Sequence, residues 1–116
     1  MLSGVTALLL GGCITPSIPI PPPEPQAMRF MVNATDGLAT FRYQAAERFA
    51  DAVVYVFNRD QGTGIIATAG PDGSVGPTQP FPAEAGDQVL ITFEIGDEAS
   101  SQCVLVEEGI PSQVCF

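Results

Sequence analysis

The chain contains no histidine and no lysine, and its only cations are Arg29, Arg42, Arg48 and Arg59. Without histidine it lacks the commonest general base, the usual zinc ligand and the imidazole partner of hydrolytic nucleophiles. Without lysine it cannot form a Schiff base. Thirteen acidic residues stand against the four arginines, and the net charge is −9. Such a surface repels phosphate backbones, which argues against nucleic acid as a partner. Long apolar runs are also missing. The longest near the start, LSGVTALLL from Leu2 to Leu10, falls far short of the roughly twenty residues that a membrane-crossing helix needs. At 116 residues the chain has room for one small domain.

What is present begins with that short run. An uncharged stretch of this length fits the apolar region of a signal peptide. The residues that close it, Leu10, Gly11, Gly12 and Cys13, resemble the bacterial lipobox, in which an aliphatic residue and small residues precede a cysteine. The resemblance implies that residues 1–12 are a removable leader, that the Cys13 thiol receives a diacylglyceryl group, and that the membrane is a partner through this lipid anchor. Ile14 follows. By the family's sorting rule, the lack of an aspartate there implies delivery to the outer membrane. Two or three acyl chains would make attachment effectively permanent.

Residues 13–27 then read as a linker. Pro16, Pro19, Pro21, Pro22, Pro23 and Pro25 remove backbone donors and favour extended polyproline conformations. At about 3.1 Å per residue, residues 14–26 would span roughly 40 Å and contribute no core element.

From residue 28 onward the pattern is that of strands. Val89, Ile91, Phe93 and Ile95 alternate with Leu90, Thr92, Glu94 and Gly96, while 53–57 is apolar on both faces. Turn residues fall between such runs at 33–37, 58–64, 71–73, 84–87 and 96–101. The spacing predicts about seven short antiparallel strands, at 28–33, 38–43, 52–58, 64–69, 88–95, 102–107 and 113–116. The expected fold of residues 28–116 is an all-β small antiparallel sandwich, immunoglobulin- or prealbumin-like. Residues 44–49 allow a single helical turn crossing between sheets. Phe30, Phe41, Tyr43, Tyr55, Phe57, Phe81 and Phe93 fit strand positions and are expected mostly in the core.

The stretches ADAVVYVFNRDQGTGIIATAGPDGSV and PFPAEAGDQVLITF resemble the carboxypeptidase regulatory-like and prealbumin-like β-sandwiches of bacterial surface lipoproteins. Asp72-Gly73-Ser74 and Gly86-Asp87 occupy that family's turn positions. The resemblance implies an accessory, adhesion or scaffold role and no shared catalytic set.

Beyond Cys13, Cys103 and Cys115 remain. Gly109 lies midway between them, so a hairpin turning at Glu108-Gly109-Ile110 would set Leu105 against Gln113 and Cys103 against Cys115. Opposed residues lie about 4.5–5.5 Å apart at Cα, within reach of a disulfide. A metal pair or a reactive thiol is the alternative chemistry for two cysteines. Val104, Val106 and Val114 would share the other face, which is expected to be the buried one.

Carboxylates are the only plentiful reactive groups, and their spacing supplies neither a glycosidase pair nor a calcium loop of the D-x-D-x-D-G kind. No catalytic residue, metal ligand or cofactor is assigned. The expected role is a lipid-anchored, noncatalytic binding or structural module of the envelope, facing the periplasm or the cell surface. An accessory subunit of a larger assembly and a calcium- or carbohydrate-dependent adhesin are the alternatives. Residues 71–82 form a long proline-bearing connection, so Gly76, Pro77, Thr78, Gln79 and Pro80 are the candidate contact loop. An unknown protein or glycan with a neutral or basic face is the expected partner, and deleting 76–79 is expected to leave the melting temperature nearly unchanged.

Overall fold

A computed structural model describes residues 20–116; the lipobox, Cys13 and residues 14–19 of the linker lie outside them. Eight strands form two antiparallel sheets facing one another as a small β-sandwich. One sheet has the order β1 (Met28–Asn33), β2 (Leu38–Tyr43), β5 (Phe81–Pro82). The other has the order β4 (Thr63–Thr68), β3 (Val53–Asn58), β6 (Gln88–Ile95), β7 (Glu98–Leu105), β8 (Val114–Cys115).

Local turn chemistry sets the hairpin registers. Between β1 and β2, the Asn33 side chain accepts a bond from the Thr35 N–H at 3.1 Å and Asp36 accepts one from the Leu38 N–H at 3.1 Å. Between β3 and β4, Asn58 Oδ1 accepts from the N–H groups of Asp60 and Gln61 at 3.0 and 3.1 Å. Each device closes the chain on itself and presents the alternate residues of both strands to one face.

The inward residues make the core. Phe30, Phe41 and Phe81 from one sheet, and Val54, Val56, Val89, Ile91, Phe93 and Val104 from the other, are buried, as is Val106 just beyond β7. Phe49 joins them from a single 3₁₀ turn, Glu47–Phe49, that carries the chain from β2 to β3 and so from one sheet to the other. Its ring lies 4.2 Å from that of Phe93, and Phe93 lies 4.9 Å from Tyr43. These three aromatic rings tie the two sheets together at one end.

The structure departs from the sequence expectations at several places. An eighth strand, β5, was not expected. Strand β7 begins at Glu98, inside the stretch expected to be a turn, because Glu98 to Gln102 lie at a polar sheet edge where burial does not demand apolar residues. It ends at Leu105: the Val106 N–H still bonds the Asp87 carbonyl, but the Asp87 N–H closes its own turn on the Glu84 carbonyl and the Val106 carbonyl accepts from Gly86 instead. Tyr55 and Phe57 point outward; Phe57 is exposed. Val114 is 47% exposed, whereas Val104 and Val106 on its face are buried, because the short β8 lies at the edge beyond the cover of the other sheet.

The linker also differs from a free spacer. Pro23 is buried and Ile20 packs against the core. Pro25–Ala27 form a 3₁₀ turn, and the Glu24 N–H donates to the Tyr43 hydroxyl at 2.9 Å. Glu24 also pairs with Arg48 at 3.2 Å. The chain is therefore held from residue 20 onward.

Candidate binding surface

The expected contact loop is not free of the sheet. It runs along the open side of β2 and continues that sheet. Val75 exchanges backbone bonds with Tyr43, Phe41 donates its N–H to Thr78 Oγ1 at 3.0 Å, and the Thr78 N–H returns to the Phe41 carbonyl at 3.0 Å. Phe81 and Pro82 then pair with Ala39 and Leu38 as β5. A methyl group added at Gly76 would strike the Phe41 carbonyl, so glycine is required for this close approach. Gly76, Pro77, Gln79 and Pro80 are exposed and Thr78 is half-buried. Deletion of 76–79 therefore removes sheet hydrogen bonds, contrary to the expected indifference of the melting temperature.

Two concavities flank this segment on the outer face of the three-stranded sheet. The first, about 250 Å³, lies between the exposed Met31 and Pro80 and the half-buried Leu38 and Thr40, with Glu108 at its rim. The second, about 590 Å³, lies between Arg29, Arg42, Gln44, Ser74 and Gly76. Arg29 is directly opposite Arg42 in the β1–β2 register. Like charges so placed cost roughly 0.2–1 kcal/mol. Among the described residues neither arginine has a carboxylate within 4.0 Å, and the one ion pair is Arg48 with Glu24. Half of the protein's positive charge is thus gathered, unneutralised, on one short stretch of sheet. The sequence reading did not couple these two residues, although the signal was there: they are equidistant from the turn at 33–38. The cleft is locally positive in a protein whose net charge is −9.

The disulfide between Cys103 and Cys115 is formed, with the two Cα atoms 4.9 Å apart. It lies on the outer face of the five-stranded sheet, with the Arg59 guanidinium 3.4 Å from Cys103 Sγ. The register is the expected one, Cys103 against Cys115, with the Leu105 N–H bonding the Gln113 carbonyl. The intervening chain is more than a tight hairpin turn. It swings to the other sheet, where Gly109 exchanges two backbone bonds with Phe30.

Carboxylates in the turns are held by local groups. Asp72 accepts from the N–H and hydroxyl of Ser74 at 3.0 and 2.7 Å, and these bonds hold its carboxyl below the ordinary range. Asp87 accepts from Asn58, Gln61 and the Glu84 N–H. Burial pushes its carboxyl upward, but the three donors outweigh that and leave it below the ordinary value. Among the described residues no three histidine, cysteine or acidic side chains converge as metal ligands. Comparison with protein-family models, curated proteins and solved structures returned no match.

Proposed function

We propose that this chain is a lipid-anchored, noncatalytic binding module of the bacterial outer membrane, tethered through Cys13, that holds an anionic group of a protein or glycan partner in the Arg29–Arg42 cleft. The observation that carries the reading is the pair of opposed, unneutralised arginines beside Gly76 in a protein of net charge −9. A folded chain with thirteen acids has ample means to neutralise two cations. Leaving them side by side costs stability and favours a carboxylate, sulfate or phosphate, which two guanidinium groups can grip with several charge-assisted bonds. The stretch from Ser74 to Gly76, pinned by the bonds between Val75 and Tyr43, gives the cleft a fixed wall, which reduces the ordering cost of binding. The Asp-Gly turn at 72–73 and the two-sheet architecture support a carboxypeptidase regulatory-like or prealbumin-like accessory domain.

Two measurements test this. Intact-mass analysis of membrane-extracted protein should find acyl mass on the peptide that begins at Cys13, and Cys13→Ser should abolish anchoring. Recovery of a soluble product cut elsewhere refutes the anchor. Cross-linking in native envelopes should yield one partner at fixed stoichiometry, lost in the Arg29→Glu/Arg42→Glu variant. Equal capture by that variant refutes the cleft.

A further inference from the structure

Sheet edges expose unpaired N–H and C=O groups, and folded proteins normally block them with cover, proline, charge or short length. Among the described residues three of the four edges are blocked. Along β1 the outward N–H of Met28 bonds the Pro25 carbonyl, that of Phe30 bonds Gly109, and that of Val32 bonds the Glu108 carboxylate at 2.8 Å. The 75–82 edge of the same sheet carries Pro77, Pro80 and Pro82. At the far side of the larger sheet, β7 presents the polar run Glu98 to Gln102 and is then capped by the two-residue β8.

Among the described residues strand β4 has no such hydrogen-bonded cover, although β5 of the other sheet lies close to it. Its sequence, TGIIAT, has no charge and no proline over six residues. The bond from the Ala69 N–H to the Ala52 carbonyl fixes the phase of the β3–β4 ladder, so Thr63, Ile65 and Ala67 bond β3 while Gly64, Ile66 and Thr68 turn their backbone groups to the open side. Ile66 is 66% exposed, and beside it Tyr55 and Phe57 add apolar surface on the same outer face.

We infer that the β4 edge is a docking site for an extended strand of a partner polypeptide that extends the five-stranded sheet by one. Exposed backbone donors and acceptors at alternate residues demand a peptide backbone, and Ile66 with Phe57 demands apolar side chains at every second position of it. Charge selects against a second copy of this chain. Self-pairing along this edge would bring together two molecules of net charge −9 each. The same net charge favours a strand with basic residues at its ends. This surface is on the opposite sheet from the Arg29–Arg42 cleft, so it stands or falls independently of that site.

The probe is the synthetic peptide Lys-Val-Thr-Val-Thr-Val-Lys at millimolar concentration, added to the detergent-extracted full chain, with amide hydrogen exchange read across residues 63–68. Exchange there should slow by at least about tenfold, with residues 28–33 unchanged, and Ile66→Lys should remove the effect while keeping the melting temperature. The same peptide N-methylated at alternate amides, which cannot donate to the edge, should have no effect. Absence of protection by the unmodified peptide overturns the inference. So does equal protection by the N-methylated peptide or by one with glutamate ends. Protection that rises with protein concentration in the absence of peptide assigns the edge to a second copy and overturns the partner strand.

Discussion

Replacing Asn58 with alanine should destabilise this domain more than any surface change, and the structure allows the cost to be worked out. Asn58 is the one buried polar side chain among the described residues. It donates to the Pro82 carbonyl at 3.1 Å and to the Asp87 carboxylate at 2.8 Å, and it accepts from the N–H groups of Asp60 and Gln61. A neutral hydrogen bond contributes about 1 kcal/mol and one to a charged group about 1.5–3. Water can replace the two bonds in the exposed turn, which leaves a net loss of about 3 kcal/mol from the Pro82 and Asp87 bonds. For a domain of this size that lowers the melting temperature by about 12–24 °C. The variant should also respond differently to acid. Asp87 is held below its ordinary value despite its burial, so its contribution is complete above the unfolded carboxyl value of 3.8 and is lost as pH falls through the lower folded value. Removing Asn58 takes away the leading donor and should make that acid loss shallower. Urea unfolding at neutral pH and through the acid range measures both effects. A loss below about 1 kcal/mol, or an unchanged acid limb, refutes the reasoning.

Reducing the Cys103–Cys115 bridge should cost about 3 kcal/mol in the chain-entropy model, measured as a difference in urea midpoint with and without reductant. Non-reducing peptide mapping should recover the two cysteines linked within one molecule. Gly73→Ala should cost about 2–4 kcal/mol, since Gly73 has φ +83° and an added methyl would strike the Ala46 carbonyl. Its unfolding curve checks this. Arg29→Glu should raise stability by up to about 1 kcal/mol, by replacing a like-charge pair with an opposed one, while abolishing partner capture. Deleting 76–79 should lower the melting temperature, because Thr78 holds Phe41 through two hydrogen bonds.

Much of this fold was legible because its information is local. The turn between β1 and β2 is written in Asn33, Asp36 and Gly37, whose side chains and positive φ close the hairpin without help from the rest of the chain. Once that turn is placed, register follows by counting outward, and the same counting about Gly109 paired Cys103 with Cys115. Applied to β1 and β2 it also brings Arg29 opposite Arg42. The misses lie where structure depends on distant partners. Glu98 to Ser101 carry turn-like residues, yet they pair along β6 because the neighbouring strand supplies the bonds and nothing covers their outer side. Pro23 and Ile20 read as spacer because proline cannot join a ladder, but a proline ring can still be buried against a finished sandwich.

The open edge of β4 was the least legible feature, for a physical reason. TGIIAT has the residues of a sound strand wherever it lies, and nothing in it states whether a neighbour stands on one side or both. Edge status is a property of topology. It emerges only when β3 is seen to take β6 on its other side, leaving β4 outermost. What the sequence does carry is the contrast among edges: prolines in 75–82, a glutamate at 108 that reaches the Val32 N–H, and a polar run at the start of β7. Each of those is a device against strand pairing, and such devices are needed only where pairing would be harmful. Among the described residues β4 is the one edge from which they are missing, and that contrast is the ground on which we infer that it takes a partner strand.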